Sequence, residues 1–232
     1  MSLAALIFDV DGTLAETEEA HREAFNDTFA EAGLGWHWSR ADYTRLLRTT
    51  GGKERMARHR EEIGASGPTD AEIAALHKRK TARYGEILAA GGLALRPGVA
   101  DLIETARASG LRLAVATTTN RPNVDALCAA CWGRPAGEVF EVIAAGDEVA
   151  AKKPAPDVFL LALERLGLPA SACLAFEDSR NGLASALAAS LACVVTPSLY
   201  TARERFEGAA LTLPSLEGLT PDALPQVPAA AQ

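Results

Sequence analysis

Charged and polar side chains follow four apolar segments of the chain, at the point where each segment ends. They are Asp9, Asp11 and Thr13 after the first segment, Thr117, Thr118, Thr119 and Asn120 after the second, Lys152 and Lys153 after the third, and Glu177, Asp178 and Ser179 after the fourth. Carboxylates that converge without a cation repel one another, and a ligand set made only of oxygens suits Mg²⁺. A magnesium ion usually recruits phosphate, to whose oxygens Thr117 and Lys153 would supply a hydroxyl donor and a positive charge. These residue types predict a site for a small phosphorylated molecule.

The apolar segments themselves predict the fold. Residues 3–8 form a continuous apolar run that is typical of a buried parallel strand, and similar runs recur at 111–118, 142–147, 173–178 and 193–197. Amphipathic stretches separate the last four runs, with Pro97-Gly98 and Pro156 opening two helices that Gly110 and Gly167 close. This alternation indicates an α/β protein with a Rossmann-like parallel sheet as its core. Because ligands of such sheets bind at the carboxyl ends of the strands, the polar side chains should meet there.

Residues 17–92 interrupt the alternation and have helical patterns only. Thr17 is placed to cap a first helix that ends at Gly33, and Thr69 and Glu72 have the spacing of a capping box. We therefore predict a small helical cap domain over residues 17–92, inserted into a core made of residues 1–16 and 93–232. The Pro- and Ala-rich segment from residue 220 to 232 is expected to be a frayed end.

Several residues of this insert are candidates for substrate contact. The segment TTGGKER carries Gly51, Gly52, Lys53 and Arg55, whose backbone amides and charges suit a phosphate. The other candidates are Glu16, His21, Tyr43, Arg48, Lys80 and Tyr84, with Thr118 and Asn120 from the core. The alternative for the basic residues is a solvated helix face, and for His21 it is an ordinary surface position. A basic segment in an otherwise acidic protein suggests a second phosphate, remote from the reacting one.

Composition excludes several classes of protein. The chain has 232 residues and a formal net charge of −7, which argues against a partner that is nucleic acid or an anionic membrane. It contains no apolar run of 18 residues and its first residues lack the basic start of a signal peptide, so a cytoplasmic location is expected. The Cys128-x-x-Cys131 pair would suit a redox pair or half of a zinc site, but burial of small apolar thiols is the favoured interpretation. The sequence leaves the oligomeric state open, and a monomer is compatible with it.

The order of these segments resembles the haloacid dehalogenase superfamily, over the whole chain. The resemblance rests on Asp9-Val10-Asp11-Gly12-Thr13, then Thr117, then Lys153, then Glu177-Asp178. It implies that Asp9 attacks phosphorus to form an aspartyl phosphate and that Asp11 acts as general acid and base. It also implies that Mg²⁺ is held by Asp9, by the backbone carbonyl of Asp11 and by Asp178. Glu177 would be a further ligand or act through water.

The insert resembles that of the branch containing β-phosphoglucomutase and the CbbY phosphatases. DVDGTLAETE, HREAFN, LLRTTGGKERM and VATTTNRPNV are similar to CbbY in particular. That family is linked to carbon fixation, in the Calvin cycle, and converts xylulose 1,5-bisphosphate, an inhibitor of the carboxylase, to xylulose 5-phosphate. The resemblance thus implies a sugar bisphosphate as the small-molecule partner, with ribulose 1,5-bisphosphate as a weaker competitor and Glu16, Arg48 or Tyr43 among the contacts to hydroxyls.

Four other functions were weighed against this interpretation. A phosphomutase would pass the phosphoryl group to a sugar, and KRKTARY and His21 fit that pattern too, whereas phosphatases of the superfamily usually carry Thr at the position of Thr13. A phosphatase for another small sugar phosphate is equally compatible with the residues. A non-catalytic binding protein would be expected to lack some of Asp9, Asp11, Lys153 and Asp178, all of which are present. A dehalogenase would need neither Asp11 nor a metal.

Overall fold

A parallel six-stranded sheet forms the centre of the protein, which we describe from a computed structural model over residues 2–225. The strands are β1 (Ala5–Phe8), β2 (Arg112–Ala116), β3 (Val142–Ala144), β4 (Cys173–Glu177), β5 (Ala192–Val195) and β6 (Leu211–Thr212). Their order is β3-β2-β1-β4-β5-β6, and every neighbouring pair is parallel. The predicted Rossmann-like core is confirmed. The order reverses between β1 and β4, which is where an open sheet of this kind forms its ligand crevice.

Helices cover both faces of the sheet because β1 alternates its side chains between them. The core helices are α5 (Val99–Ala108), α6 (Arg121–Trp132), α7 (Ala136–Val139), α8 (Asp157–Leu166) and α9 (Arg180–Ala188). Leu6 and Phe8 pack with α5 and α6 on one face, and Ala5 and Ile7 pack with α8 and α9 on the other. Such two-sided burial explains why the strands are continuous apolar runs. β1, β2 and β4 end at Phe8, Ala116 and Glu177, which leaves Asp9, Thr117 and Asp178 just beyond them.

Four helices follow β1 in the chain, before α5 of the core and β2. These are α1 (Glu18–Glu31), α2 (Arg40–Leu46), α3 (Gly52–Glu62) and α4 (Asp70–Ala89). Phe25, Phe29, Trp38 and Tyr43 form their buried aromatic cluster, which Tyr200 from the loop after β5 joins at its edge. The helical character predicted for this insert agrees with these four elements, while its division from the core at residues 16/17 and 92/93 stays a prediction.

Local capping signals have two different outcomes in the insert. Thr69 and Glu72 form the predicted capping box, since each side chain bonds the other's backbone N–H. Thr17 precedes α1 as predicted but makes no capping bond, because its hydroxyl donates to Asp11 instead. The segment from residue 220 is ordered at its start, where Leu224 is buried against the core, so the frayed end predicted there is wrong for residues 220–225. Residues 226–232 lie outside the described part.

No helix within residues 2–225 combines the length and the apolar character that crossing a bilayer requires.

Candidate active site

Lys153 lies at the centre of the charged groups below the crevice. Its Nζ donates to Asp9 Oδ1 at 2.7 Å, to Glu177 Oε1 at 2.5 Å and to the carbonyl of Ala116 at 2.8 Å. Burial opposes the charged form, but the carboxylates of Asp9 and Glu177 outweigh it and raise the pKa of Lys153. The amine is therefore a fixed positive charge beside Asp9. Adjacent strands β1 and β4 bring Asp9 and Glu177 together, and the segment after β3 brings Lys153.

Three carboxylates form an acidic cluster at the same edge of the sheet. Asp9, Glu177 and Asp178 each offer an oxygen within 4.8 Å of the others, and all three residues are buried. Burial raises the pKa of Glu177 to about 8 and that of Asp178 well above its ordinary value, with neighbouring carboxylates adding to both shifts. Oε2 of Glu177 has no hydrogen-bond partner in the described part of the chain. One lysine does not balance three buried acids, so the donor set fits a hard divalent cation such as Mg²⁺.

The loop after β1 passes so close to this acidic cluster that position 12 requires glycine. Gly12 has φ +82°, and a Cβ on it would lie 2.3 Å from Oδ2 of Asp178. Only glycine allows this contact and this backbone conformation together. The loop after β5 supports Asp178 from the other side, since Thr201 Oγ1 donates to its backbone carbonyl at 2.7 Å.

Asp11 faces the insert and is held by two of its side chains. Thr17 Oγ1 donates to Asp11 Oδ1 at 2.6 Å, and His21 Nε2 lies 3.0 Å from the same oxygen. Burial alone would raise the pKa of Asp11, but His21 and Thr17 outweigh it and lower that pKa to about 2. Asp11 is thus ionised in this arrangement. Because both contacts are made to Oδ1, they hold the carboxylate in place and fix the orientation of Oδ2.

His21 is in the site, and not on the surface. Its Nδ1 lies 2.6 Å from Lys80 Nζ, and its ring stacks on Tyr84 with centroids 3.9 Å apart. Burial, followed by the charge of Lys80, lowers the pKa of His21 to about 4. The neutral tautomer that fits both contacts accepts at Nδ1 from Lys80 and donates from Nε2 to Asp11. Lys80 is 3% exposed, so it does not belong to a solvated helix face.

A cavity of about 1070 Å³ lies between the insert and the carboxyl edge of the sheet. Fourteen predicted residues line it: Asp9, Asp11, His21, Arg48, Gly51, Gly52, Lys53, Arg55, Lys80, Thr118, Asn120, Lys153, Glu177 and Asp178. Thr117 does not line it; its buried Oγ1 accepts from the N–H of Thr119. The structure therefore brings together most residues that the sequence placed at the site.

Three predicted substrate contacts lie outside the cavity lining in this structure. Glu16 pairs with Arg96 at 3.4 Å and accepts from the N–H of Leu199. Tyr43 is fully buried, and its hydroxyl donates to Glu18 at 2.8 Å. Tyr84 lies behind His21. The roles of these three residues in binding stay predictions.

Arg48 and Lys53 of the insert and Lys152 of the core line one part of the cavity, which we call its basic end. The backbone of Gly51 and Gly52 approaches its neighbours closely: added Cβ atoms would lie 2.1 Å from Glu54 Oε2 and 2.6 Å from His77 Nε2. Lys152 of the core reaches Glu54 at 2.8 Å, and Thr50 donates to the carbonyl of Lys153. These contacts connect the start of α3 to the loop after β3.

Sequence reasoning missed several residues of the site. Thr17 was assigned to helix capping, and Glu18 and His77 were not considered as lining residues although both line the cavity. The available signal for His77 was its position one helical turn before Lys80. No comparable signal indicated Glu18, since acidic residues are common in the first turn of any helix.

The cysteine pair has no place in this site. Cys128 is buried and Cys131 is half-buried, and burial raises the pKa of Cys128 to about 12. Among residues 2–225, the acidic cluster is the single group with the geometry for a metal ion. The favoured interpretation of these cysteines as buried thiols agrees with these observations.

Comparison with known proteins places the chain in a family. Residues 3–190 match the family model described as haloacid dehalogenase-like hydrolase. The chain is 66% identical to Protein CbbY of Rhodobacter capsulatus, over 98% of this chain and 100% of that protein. The crystal structure of CbbY from Rhodobacter sphaeroides in complex with xylulose-(1,5)bisphosphate has a TM-score of 0.92 and 53% identity, covering 96% of this chain and 99% of that one. A β-phosphoglucomutase from Clostridium difficile has a TM-score of 0.79 at 18% identity, covering 94% and 93%, and so shares the fold.

The chain belongs to the haloacid dehalogenase-like hydrolases. Within them it is a CbbY-like enzyme, related to CbbY over nearly its whole length, and the predicted class of phosphatase is confirmed.

Proposed function

We propose that this protein is a magnesium-dependent sugar-bisphosphate phosphatase that converts xylulose 1,5-bisphosphate to xylulose 5-phosphate and phosphate. The main support is the complex of CbbY from Rhodobacter sphaeroides with xylulose-(1,5)bisphosphate, at 53% identity and a TM-score of 0.92. The cavity of about 1070 Å³ has room for a small bisphosphate, and Arg48, Lys53, Lys152 and Lys153 are among the residues that line it. A CbbY-like phosphatase also has a role in the Calvin cycle, as the resemblance implies.

Asp9 is the proposed nucleophile. A carboxylate oxygen of Asp9 forms a bond to phosphorus while the bond between phosphorus and the sugar oxygen breaks. Burial raises the pKa of Asp9, and Lys153, at 2.7 Å from Oδ1, opposes this shift and favours the ionised carboxylate. Thr118 and Asn120 line the cavity nearby and are the proposed donors to the phosphate, with Thr117 fixing the loop that presents them.

Asp11 is the proposed proton carrier. The leaving sugar oxygen takes a proton from Asp11, and Asp11 then takes one from the water that cleaves the aspartyl phosphate. The contacts of Thr17 and His21 favour the ionised form in the free enzyme, so Asp11 must take up a proton, from solvent or with the substrate, before the first step. The same contacts hold the carboxylate ready for the second step.

Asp9, Asp178 and the backbone carbonyl of Asp11 are the proposed ligands of Mg²⁺, and Glu177 completes the set directly or through water. When bound, the ion neutralises charge on the reacting phosphate and orients it. The observation that supports the cofactor is the buried cluster of three carboxylates with raised pKa values for Glu177 and Asp178. Lys153 keeps its bonds to Asp9 and Glu177 and balances part of this charge.

The basic end of the cavity is the proposed site for the second phosphate. Gly51, Gly52, Lys53 and Arg48 remain the candidates from the insert, and Lys152 adds a charge from the core. A phosphate held there supplies binding energy that orients the scissile group. Arg55 is turned toward Tyr43, so it acts on this end through its charge.

The experiment measures phosphate release from xylulose 1,5-bisphosphate, ribulose 1,5-bisphosphate and glucose 6-phosphate. The wild type should prefer xylulose 1,5-bisphosphate, and Asp9→Asn should retain less than 1% of its rate because an amide is a poor nucleophile. Lys53→Ala/Lys152→Ala should lower kcat/KM for the bisphosphate far more than for glucose 6-phosphate, whereas Arg58→Ala, an exposed charge on the same helix, should change neither. Preference of the wild type for the monophosphate would contradict the bisphosphate assignment. Conversion of β-glucose 1-phosphate to glucose 6-phosphate without phosphate release would indicate the mutase.

A further inference from the structure

Glu18 presents a carboxylate to the cavity from the first turn of α1. One of its oxygens, Oε2, accepts the hydroxyl proton of Tyr43 at 2.8 Å. The Tyr43 hydroxyl in turn accepts from Nη1 of Arg55 at 2.9 Å. The guanidinium also lies over the Tyr43 ring, 5.0 Å from its centroid. These contacts form a directed chain, from Arg55 through Tyr43 to Glu18.

The chain of contacts is rigid because its middle member is locked by aromatic packing. Tyr43 is 0% exposed and its ring contacts Phe25, Trp38 and Tyr200. Arg55 is 8% exposed and is anchored on α3. A hydroxyl held in this way fixes the direction of the carboxylate that it bonds, which is what a preorganised binding group requires.

The other oxygen of Glu18, Oε1, has no hydrogen-bond partner among residues 2–225, and the side chain lines the same cavity as Asp9 and Asp11. A carboxylate is an acceptor and repels phosphate, so the ligand group that complements it is a hydroxyl. Burial, and then the charge of Asp11, raise the pKa of Glu18 to about 7 despite the opposing charge of Arg55. A hydroxyl from a ligand would supply the bond that this half-buried group lacks.

We infer that Glu18 is a specificity-determining residue, which accepts a hydrogen bond from a chain hydroxyl of the sugar bisphosphate. Tyr43 and Arg55 are positioning residues that hold the carboxylate in place. The inference rests on the proposed function and deepens it. It also changes the role proposed for Tyr43, which acts on the sugar hydroxyl through Glu18 and does not contact it directly. The sequence pattern did not single out Glu18.

The test uses two bisphosphates of equal length, xylulose 1,5-bisphosphate and pentane-1,5-diol bisphosphate, which has no chain hydroxyls. Glu18→Gln should lower kcat/KM for the sugar about 100-fold, and the loss on the diol should be at least ten times smaller. Tyr43→Phe should cause about a tenfold loss on the sugar, and in the double variant the two losses should not multiply, because they affect one contact. Glu23→Gln, the same change at an exposed position of α1, is the matched control.

Three outcomes would overturn the inference. Equal losses on both compounds would make Glu18 a structural or general catalytic group, and an unchanged Glu18→Gln enzyme would show that no hydroxyl is bound there. Multiplying losses in the double variant would separate Tyr43 from Glu18. Thermal unfolding of each variant distinguishes misfolding from lost contact. Failure of the wild type to release phosphate from either bisphosphate would instead overturn the proposed function, and this inference with it.

Discussion

Lys153 and Asp9 are 144 positions apart in the chain, yet Nζ of the lysine is 2.7 Å from Oδ1 of the aspartate. The same amine is 2.5 Å from Oε1 of Glu177, so one cation compensates two buried carboxylates. Asp178 adds a third carboxylate for which this lysine is too far to serve as a hydrogen-bond donor. The site therefore has more negative than positive charge. The stability of the protein and its activity should both depend on Lys153 and on a bound metal cation.

Replacing Lys153 with methionine should destabilise the protein by about 3 kcal/mol in metal-free buffer, because it leaves Asp9 and Glu177 buried without their cation. Urea denaturation measures this free energy. Phosphate release should fall at least about 100-fold, since Asp9 loses the positive charge that favours its ionised form. Arg79→Met, at an exposed position of α4 outside the cavity lining, is the control. A free energy of unfolding equal to that of the wild type would contradict the structural role of the lysine.

Mg²⁺ should raise the melting temperature of the wild type, because it binds the folded acidic cluster and not the unfolded chain. At about 100 times the dissociation constant the stabilisation is about 2.7 kcal/mol, which for a chain of this size corresponds to a rise on the order of 5 °C. Asp178→Asn should abolish most of the rise, whereas Asp101→Asn, at an exposed position of α5, should retain it. Differential scanning fluorimetry against NaCl of equal ionic strength measures the effect. Equal rises in both salts would exclude a specific site.

Asp11→Asn should lower kcat by about 10²–10⁴-fold with little change in KM, because the amide no longer exchanges the proton but still fills the same space. Thr17 and His21 retain a polar partner, so the fold should persist. Steady-state kinetics on the bisphosphate gives both constants. Thr28→Ser, a buried hydroxyl of α1 away from the cavity, serves as the control. A raised KM with an unchanged kcat would make Asp11 a binding group.

His77 should make the protein less stable in mild acid. Burial, then the charges of Lys80, Lys152 and Lys53, lower the pKa of His77 to about 3, from an ordinary value of 6.5. In the unfolded chain His77 binds a proton below about pH 6.5, whereas in the folded chain it stays neutral down to about pH 3. The contribution of His77 to the free energy of unfolding is therefore fully present above pH 6.5 and is lost as the pH falls toward 3. Each pH unit costs about 1.4 kcal/mol in this window.

His77→Gln should remove this contribution and flatten the slope of unfolding free energy between pH 6.5 and pH 5, as measured by urea denaturation at several pH values. His37→Gln, at an exposed position in the loop before α2, is the control. An unchanged slope in His77→Gln would show that His77 is already protonated in the folded protein.

Much of the site followed from local pattern. An apolar run that ends in acidic residues places those residues at the carboxyl end of a buried strand, whatever the details of packing. Because parallel strands share that edge, Asp9, Asp178 and Lys153 could be grouped before their distances were known. The capping box of Thr69 and Glu72 is equally local, since both partners lie within one helical turn.

Partner choice among side chains from different elements could not be predicted in this way. Thr17 has the position of a helix cap, but its hydroxyl is taken by Asp11 across a turn. Tyr43 was predicted to touch substrate; in this structure the aromatic cluster buries it, and Glu18 faces the cavity. Tyr200 comes from the loop after β5 to join that cluster. Such contacts depend on how helices separated by long stretches of chain pack together, and residue spacing along one element carries no information about that packing.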